Sequence, residues 1–264
     1  MAHHRPSRRK TLSQNFLRHA ATLRTVVHAS GVRPSDLVVE PGAGEGTLTR
    51  VLARHTRQVI AYEIDRELAA RLPGRLHGLP NVRVVPGDFL HATAPTAPFT
   101  VVGNIPYSRT TDIVRWCLSA RQLTSATLVT QLEFARKRTG GFGTWPLLTV
   151  QSWPEFTWGL GPRLRRELFS PVPRTDSALL HLDRRTAPLL PARTMPAYRA
   201  LVAQGFTGVG GSLHASLCRA HRAHHVRAAL DAAGVPYTAP VGHVSPEQWL
   251  TVFRRLHPSH PGGR

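Results

Sequence analysis

The chain has 264 residues, which is enough for one large domain or for one domain with a small appendage. Its 34 Lys and Arg residues outnumber its 15 Asp and Glu residues, and the formal net charge of +19 favours a nucleic-acid partner, with an anionic membrane surface as the main alternative. We expect a cytoplasmic protein without membrane span, signal peptide or disulfide, since no long apolar run is present and the two cysteines, Cys117 and Cys218, lie far apart.

Short apolar runs alternate with helix-like segments through the first two-thirds of the chain. Strands are predicted at 37–39, 59–62, 82–85, 99–102 and 126–129, with helices at 47–55 and 66–76 between the first three. Strands that alternate with helices are typical of βαβ units and of a doubly wound parallel sheet. Runs at 156–160 and 178–182 predict two closing strands that form an antiparallel pair.

The composition changes after residue 183. A linker is predicted at 186–191, followed by short helices at 195–205, 213–220, 225–233 and 246–255. We therefore expect an α/β domain over residues 1–184, with a basic N-terminal arm, and a small helical domain over residues 185–264.

The segment Asn104-Ile105-Pro106-Tyr107 directly follows the predicted strand at 99–102. The Asn amide oxygen and a backbone carbonyl can both accept hydrogen bonds from an exocyclic amino group, while the Tyr ring can stack on a flat base. Taken alone, the segment could equally be an ordinary turn after a strand.

Polar groups also follow the first three predicted strands. Segment 40–46 (Glu-Pro-Gly-Ala-Gly-Glu-Gly) can turn tightly and approach a ligand closely, although a glycine loop alone is weak evidence. The second strand ends at Glu63, where a carboxylate can bind the two hydroxyl groups of a ribose; the alternative is a surface acid. After the third strand, Asp88 can accept a hydrogen bond from an adenine amino group. These groups predict a nucleotide-like cofactor in one crevice.

This arrangement resembles a class I S-adenosylmethionine methyltransferase, with a Rossmann-like doubly wound sheet and an antiparallel final strand. Segments 14–17 (Gln-Asn-Phe-Leu), 40–46, 87–89 (Gly-Asp-Phe) and 104–107 together resemble the rRNA adenine N6-methyltransferases. Within that family the chain is most similar to the erythromycin-resistance (Erm) methyltransferases of 23S rRNA. The resemblance extends through 133–141 and 169–177 and covers about residues 10–182.

The resemblance implies S-adenosylmethionine as cofactor, with its methionine end at Gly42, its ribose at Glu63 and its adenine at Asp88. The full set of implied cofactor-binding residues is Asn15, Leu17, Gly42, Gly44, Glu63, Asp88 and Asn104.

The expected catalytic group consists of Asn104, Ile105, Pro106 and Tyr107, with Phe169 added. The Asn104 oxygen and the Ile105 carbonyl would accept from the two N6 hydrogens of a flipped adenine, on which Tyr107 would stack. Phe169 would cover the other face; the alternative is a core aromatic. We expect no general base and no metal.

Three basic clusters are candidates for RNA binding, and the alternative for each is a solvated surface. They are Arg8, Arg9 and Lys10; Arg136, Lys137 and Arg138; and Arg163, Arg165 and Arg166.

The resemblance thus implies an enzyme, expected to be a monomer, that adds one or two methyl groups to N6 of an unpaired adenine in 23S rRNA, with macrolide, lincosamide and streptogramin B resistance as the outcome. The nearest alternative is a small-subunit rRNA adenine dimethylase. A DNA or protein-amide methyltransferase is a more distant alternative, since such enzymes usually have Asn-Pro-Pro-Tyr where this chain has Asn-Ile-Pro-Tyr. From another class, the chain could be an RNA-binding assembly factor with a residual cofactor pocket.

Overall fold

A computed structural model describes residues 15–258. The expectations for Arg8, Arg9 and Lys10 lie outside the described residues. The chain divides into two compact units: the first comprises Met1–Ala135 and Gly159–Arg184, and the second comprises Arg136–Trp158 and Arg185–Arg264.

The described residues form nine strands and ten α-helices. The strands are β1 (Phe16–Leu17), β2 (Leu37–Pro41), β3 (Gln58–Glu63), β4 (Val82–Pro86), β5 (Phe99–Asn104), β6 (Leu123–Gln131), β7 (Phe156–Leu164), β8 (Phe169–Ser170) and β9 (Ser177–Arg184). The helices are α1 (Ala20–Ala29), α2 (Thr47–Ala53), α3 (Arg66–Arg75), α4 (Thr110–Ser119), α5 (Leu132–Arg138), α6 (Leu147–Ser152), α7 (Met195–Gly205), α8 (Leu213–Leu217), α9 (Ala223–Ala232) and α10 (Pro246–Leu256).

Seven of the strands form one mixed sheet in the order β4-β3-β2-β5-β6-β9-β7. Strands β4, β3, β2, β5 and β6 are parallel, and β9 runs antiparallel to β6. The chain moves outward from β2 to β4 and then returns to the other side of β2 at β5. In open α/β sheets this reversal opens a crevice at the carboxyl ends of the strands, which is where ligands bind. The sheet confirms the predicted fold class.

Burial explains why the central strands were easy to predict. All five residues of β2 and the first five of β5 are buried, so these strands are marked in the sequence by short runs of adjacent apolar residues rather than by alternation. The predicted ends were less accurate. Strand β5 continues to Asn104 and β6 begins at Leu123, because backbone pairing extends past the apolar stretch into polar residues.

The second unit is helical and has a core of its own. Helix α7 has the predicted bounds, whereas α8 ends at Leu217, before the predicted end at residue 220. The core surrounds the fully buried side chains of Tyr198 and Trp249. Val150 of α6 belongs to the same core, and its carbonyl accepts a hydrogen bond from the Tyr198 hydroxyl at 2.9 Å.

Segment 136–158, which the sequence assigned to the α/β domain, therefore packs within the second unit. Val150 of α6 shares this core with residues of α7, which lies more than 40 residues further along the chain. No helix between residues 15 and 258 is both long enough and apolar enough to span a bilayer.

Candidate active site

A cavity of about 200 Å³ opens at the carboxyl ends of the parallel strands in the first unit. Its wall includes the glycine loop after β2, Glu63 at the end of β3, Asp88 after β4, and Asn104, Ile105 and Pro106 at the end of β5. All seven predicted cofactor residues line this cavity, and those that follow the strands meet because the ends of neighbouring parallel strands lie at the same edge of the sheet.

The glycine loop needs its glycines for backbone conformation and for space. Gly42, Gly44 and Gly46 all have positive φ, at 74°, 57° and 78°, which side-chain-bearing residues rarely adopt. A Cβ on Gly44 would lie 2.7 Å from the Phe16 ring. The loop consequently presents bare backbone to the cavity, with Phe16 packed closely against it.

Glu63 is fixed by two backbone donors. Its Oε2 accepts from the Gly44 N–H at 2.6 Å, and its Oε1 accepts from the Asp65 N–H at 2.8 Å. Burial raises the pKa of Glu63 above its ordinary value, and the two N–H donors partly oppose the rise. A carboxylate has about four lone-pair positions, so Glu63 can still accept from the hydroxyl groups of a ligand.

Glu40, the last-but-one residue of β2, is a site residue that was not predicted from the sequence. This carboxyl is buried, lines the same cavity, and has no hydrogen-bond partner for Oε2 within the described part of the chain. Burial raises its pKa to about 8, and the neighbouring Glu63 carboxylate adds to the rise. The available signal was an acidic residue directly before a glycine loop, in an otherwise apolar strand.

Asp88 forms the turn that follows β4. Its Oδ1 accepts from the Leu90 N–H at 2.9 Å and caps a short 3-10 helix at Phe89–His91. Phe89 is buried against Trp116, with ring centroids 4.3 Å apart, and it also lines the cavity. One Asp88 oxygen is thus used for the fold, and the other remains available to a ligand.

Asn104 is held by the segment before α1. Its Nδ2 donates to the Asn15 carbonyl at 2.7 Å. A carbonyl oxygen can only accept, so this contact requires the nitrogen of the amide on the Asn15 side and leaves Oδ1 as a free acceptor. The carbonyl of Ile105 likewise receives no hydrogen bond from the described residues. The strand end therefore carries two acceptors that no described residue of the protein uses.

Gly103 sets the path of the chain into Asn104. A Cβ at this position would lie 2.9 Å from two ring atoms of Pro41 and 3.2 Å from the Pro41 carbonyl oxygen. Only glycine therefore lets β5 approach β2 this closely. Gly103 was not predicted from the sequence, because its φ is unremarkable and the constraint comes from a residue 62 positions earlier.

Tyr107 is half-buried and does not line the cavity. Its hydroxyl makes a 2.5 Å hydrogen bond with the hydroxyl of Ser177, which is buried at the start of β9. Burial raises the pKa of the Tyr107 phenol, and the bond to Ser177 partly opposes the rise. The ring is therefore held by its hydroxyl end, just beyond Asn104.

Leu17 and Phe169 are paired across the small β1–β8 sheet, and both side chains are buried in the core of the first unit. Leu17 also lines the cavity, and its carbonyl accepts from the Thr47 hydroxyl at 3.3 Å. Phe169 is only 3% exposed. The structure therefore supports the core alternative for Phe169 and corrects its expected stacking role, because antiparallel pairing turns the ring inward.

The basic clusters differ in how their charge is used. Arg163 is ion-paired with Asp176, which also accepts from the Arg166 backbone N–H at 2.9 Å. These contacts hold the pKa of Asp176 below its ordinary value. Arg166 pairs with Glu167 at 3.1 Å, whereas Arg165 is exposed and forms no ion pair in the described chain.

The remaining basic cluster lies in the second unit, where Arg136 and Lys137 are exposed and Arg138 is half-buried. Neither Arg136 nor Lys137 forms an ion pair with a described residue. Among residues 15–258, no group of three His, Cys, Asp or Glu side chains is placed to hold a metal ion.

Comparison with known proteins agrees with this geometry. The chain matches the family described as ribosomal RNA adenine dimethylase over residues 5–257. The chain belongs to this family. An rRNA adenine N-6-methyltransferase from Streptomyces fradiae is 51% identical over 260 residues, which cover 97% of this chain and 82% of that protein.

Other members of the family that resemble the chain include the mycinamicin-resistance protein MyrB from Micromonospora griseorubida. MyrB is 34% identical over 251 residues, which cover 93% of this chain and 78% of MyrB. The crystal structure of the 23S rRNA methyltransferase ErmE matches with a TM-score of 0.87 at 50% identity, covering 92% of this chain and 99% of that one. Both the family resemblance and the class I methyltransferase fold expected from the sequence are confirmed.

Proposed function

We propose that this family member transfers a methyl group from S-adenosylmethionine to N6 of one unpaired adenine in 23S rRNA. The observation that carries the proposal is the pair of unused acceptors at the end of β5, the Asn104 Oδ1 and the Ile105 carbonyl, beside a cofactor-sized crevice. The similarity to ErmE and to MyrB supports the large-subunit target and a role in macrolide resistance.

The residues of the cavity fit S-adenosylmethionine. Gly42 and Gly44 leave room for its methionine end, Glu63 can accept from its ribose hydroxyls, and the free oxygen of Asp88 can accept from its adenine amino group. The cofactor carries an ammonium group that donates hydrogen bonds, and the buried Glu40 carboxyl offers an oxygen without a partner among the described residues on the same wall. The cofactor, when bound, brings a methyl group that its sulfonium has already activated.

The chain would increase the reactivity of N6 by position and by hydrogen bonding. The N6 lone pair is conjugated with the ring, and two acceptors for the N6 hydrogens, the Asn104 Oδ1 and the Ile105 carbonyl, favour a more tetrahedral nitrogen. These bonds strengthen as positive charge develops on N6 in the transition state, so they lower the barrier rather than only binding the ground state. Asn15 keeps the amide in the orientation that this requires.

Tyr107 would provide the stacking surface for the target base. The bond to Ser177 fixes the phenol end of the ring, and stacking on an aromatic side chain is worth about 1–3 kcal/mol per base. The target has to be unpaired, because an A-form duplex hides its base edges from side chains.

Mapping of the modified nucleotide tests the choice of target. The purified protein is incubated with labelled S-adenosylmethionine and either 23S or 16S rRNA, and a reverse-transcription stop locates the modified adenine. We expect label and a single stop in 23S rRNA alone. A stop in 16S rRNA would support the small-subunit alternative, and stoichiometric RNA binding without label would support an assembly factor.

The basic end of α5 is our candidate for binding RNA phosphates. Reversing the charges of Arg136 and Lys137 to Glu should weaken RNA binding and reduce the slope of log K against log salt by roughly one for each phosphate that the variant no longer neutralises. The matched control is Arg71→Glu, at an exposed position of α3 in the first unit, and it should keep the wild-type slope. An unchanged slope in the double variant would exclude the α5 cluster from the interface.

A further inference from the structure

A large apolar side chain projects from the second unit close to the α5 cluster. Phe142 is 52% exposed and stands between Gly141 and Gly143 in the loop that follows α5. Burying an aromatic side chain is worth about 2–3 kcal/mol, and Phe142 would gain part of this free energy in a complex that covers its ring.

The loop is ordered by specific contacts. The Gly141 N–H donates to the Arg136 carbonyl at 2.8 Å, and the Gly143 N–H donates to the Gly140 carbonyl at 2.9 Å. Gly140 has φ +75° and lies so close to Trp145 that a Cβ would be 2.5 Å from its ring. The hydrogen bonds and the close packing of Gly140 on Trp145 therefore define the conformation of the turn that exposes Phe142.

The base of the turn is anchored in the helical core. The Trp145 N–H donates to the Gly242 carbonyl at 2.7 Å, and the Trp145 ring packs edge-on against Trp153 with centroids 5.6 Å apart. Both rings pack on the core of the second unit. The two tryptophans pack on this core, whereas the Phe142 side chain remains exposed.

The charges around Phe142 favour one kind of partner. Arg136 and Lys137 are exposed and have no ion pair among residues 15–258, and segment 134–145 contains no acidic residue. The centres of protein interfaces are depleted in charged residues, and lysine is depleted in particular. Cations beside an aromatic ring and bare glycine backbone are instead what a single nucleic-acid strand requires, with phosphates on the cations and a base on the ring.

We propose that Phe142 is a second stacking platform, which holds an unpaired base of the RNA substrate other than the target adenine, while Arg136 and Lys137 contact the neighbouring phosphates. The inference rests on the proposed function for the identity of the RNA. The hydrogen bond from the Gly141 N–H to the Arg136 carbonyl ties the turn that carries Phe142 to the helix end that carries the cations.

The test separates stacking from simple apolar contact. Variants Phe142→Ala, Phe142→Leu and Phe142→Tyr are compared for binding of a single-stranded oligoribonucleotide, and for kcat and KM in methylation of protein-free 23S rRNA. Loss of one stacked base weakens binding about 5- to 150-fold. We expect this loss in the Ala and Leu variants, mainly in KM for RNA, and near wild-type values in the Tyr variant.

The matched control is Val209→Ala, an exposed apolar residue of the same unit that is 40% exposed and should bind RNA as the wild type does. Wild-type binding by Phe142→Ala would overturn the proposal. So would full activity of Phe142→Leu, which would mean that the ring provides only apolar surface for a protein or a second copy. If the wild type binds the oligonucleotide but does not methylate 23S rRNA, the proposed function fails while the binding comparison still decides the role of Phe142.

Discussion

Glu40→Gln should make the stability of the protein less sensitive to pH. Glu40 is a buried carboxyl with an unpartnered oxygen, and its pKa is raised from 4.5 to about 8. At neutral pH the folded protein therefore keeps a proton at Glu40 that the unfolded chain has released. Under this condition the free energy of unfolding falls as pH rises, since the unfolded state binds fewer protons.

The size of the effect follows from the two pKa values. The contribution of Glu40 is fully present below pH 4.5 and is lost as the pH rises to about 8. The slope between these limits is about 1.4 kcal/mol per pH unit, so the free energy of unfolding falls by about 2 kcal/mol between pH 6 and pH 8 through this group alone. Gln has nearly the same shape and does not titrate, so this fall is absent in the variant.

Urea denaturation at pH 6, 7 and 8, without cofactor, measures the difference in the free energy of unfolding between variant and wild type. Titrating groups that do not interact with Glu40 contribute equally to both proteins and cancel, and the difference should shift in favour of Glu40→Gln by about 2 kcal/mol over this range. Glu133→Gln, at an exposed position of α5, is the matched control and should follow the wild-type profile. Parallel pH profiles for Glu40→Gln and wild type would show that Glu40 is ionised in the folded protein, and the reasoning would be refuted.

Two further substitutions test how the strand end of β5 is built. Tyr107→Phe keeps the stacking ring but removes the bond to the buried Ser177 hydroxyl, so we expect activity within a few-fold of wild type and a loss of about 1–3 kcal/mol in urea denaturation. Tyr107→Ala should lose about 5- to 150-fold in kcat/KM for 23S rRNA; equal activity of the two variants would exclude stacking. Gly103→Ala should lower kcat at least about tenfold, because a Cβ 2.9 Å from Pro41 displaces the adjoining Asn104. Gly74→Ala, at an open helical position, should keep wild-type kcat, and equal rates for both alanine variants would mean that Gly103 does not set the geometry.

The sheet and most of the cofactor cavity were predictable because they depend on local patterns with a fixed geometric consequence. Strands such as β2 and β5 are buried on both faces, so their apolar runs stand out in the sequence. Once the strands are parallel, the residues that end them must lie at one edge. Glu63, Asp88 and Asn104 could therefore be grouped without knowledge of any contact.

Features that depend on contacts between distant segments were not predictable. Phe169 follows a basic segment and precedes prolines, which suggests exposure, yet pairing with Leu17, more than 150 residues earlier, buries it. Segment 136–158 continues the α/β pattern in the sequence but completes a helical core whose other members begin at Leu190. The elevated pKa of Glu40 depends on how completely β2 is enclosed, which the order of residues does not state.

The groups proposed to act on the target nitrogen are not the groups that titrate near neutral pH. The atoms that would contact the reacting nitrogen are an amide oxygen and a backbone carbonyl, at Asn104 and Ile105, and neither titrates. The phenol of Tyr107 has its pKa raised further above 10 by burial, so it stays neutral throughout the physiological range. Glu40, by contrast, titrates near neutrality on the wall that a cationic cofactor would face. In the proposed reaction, protonation of Glu40 would therefore act on cofactor affinity and on stability, while the transfer step would depend on the geometry that Gly103, Asn15 and Ser177 fix.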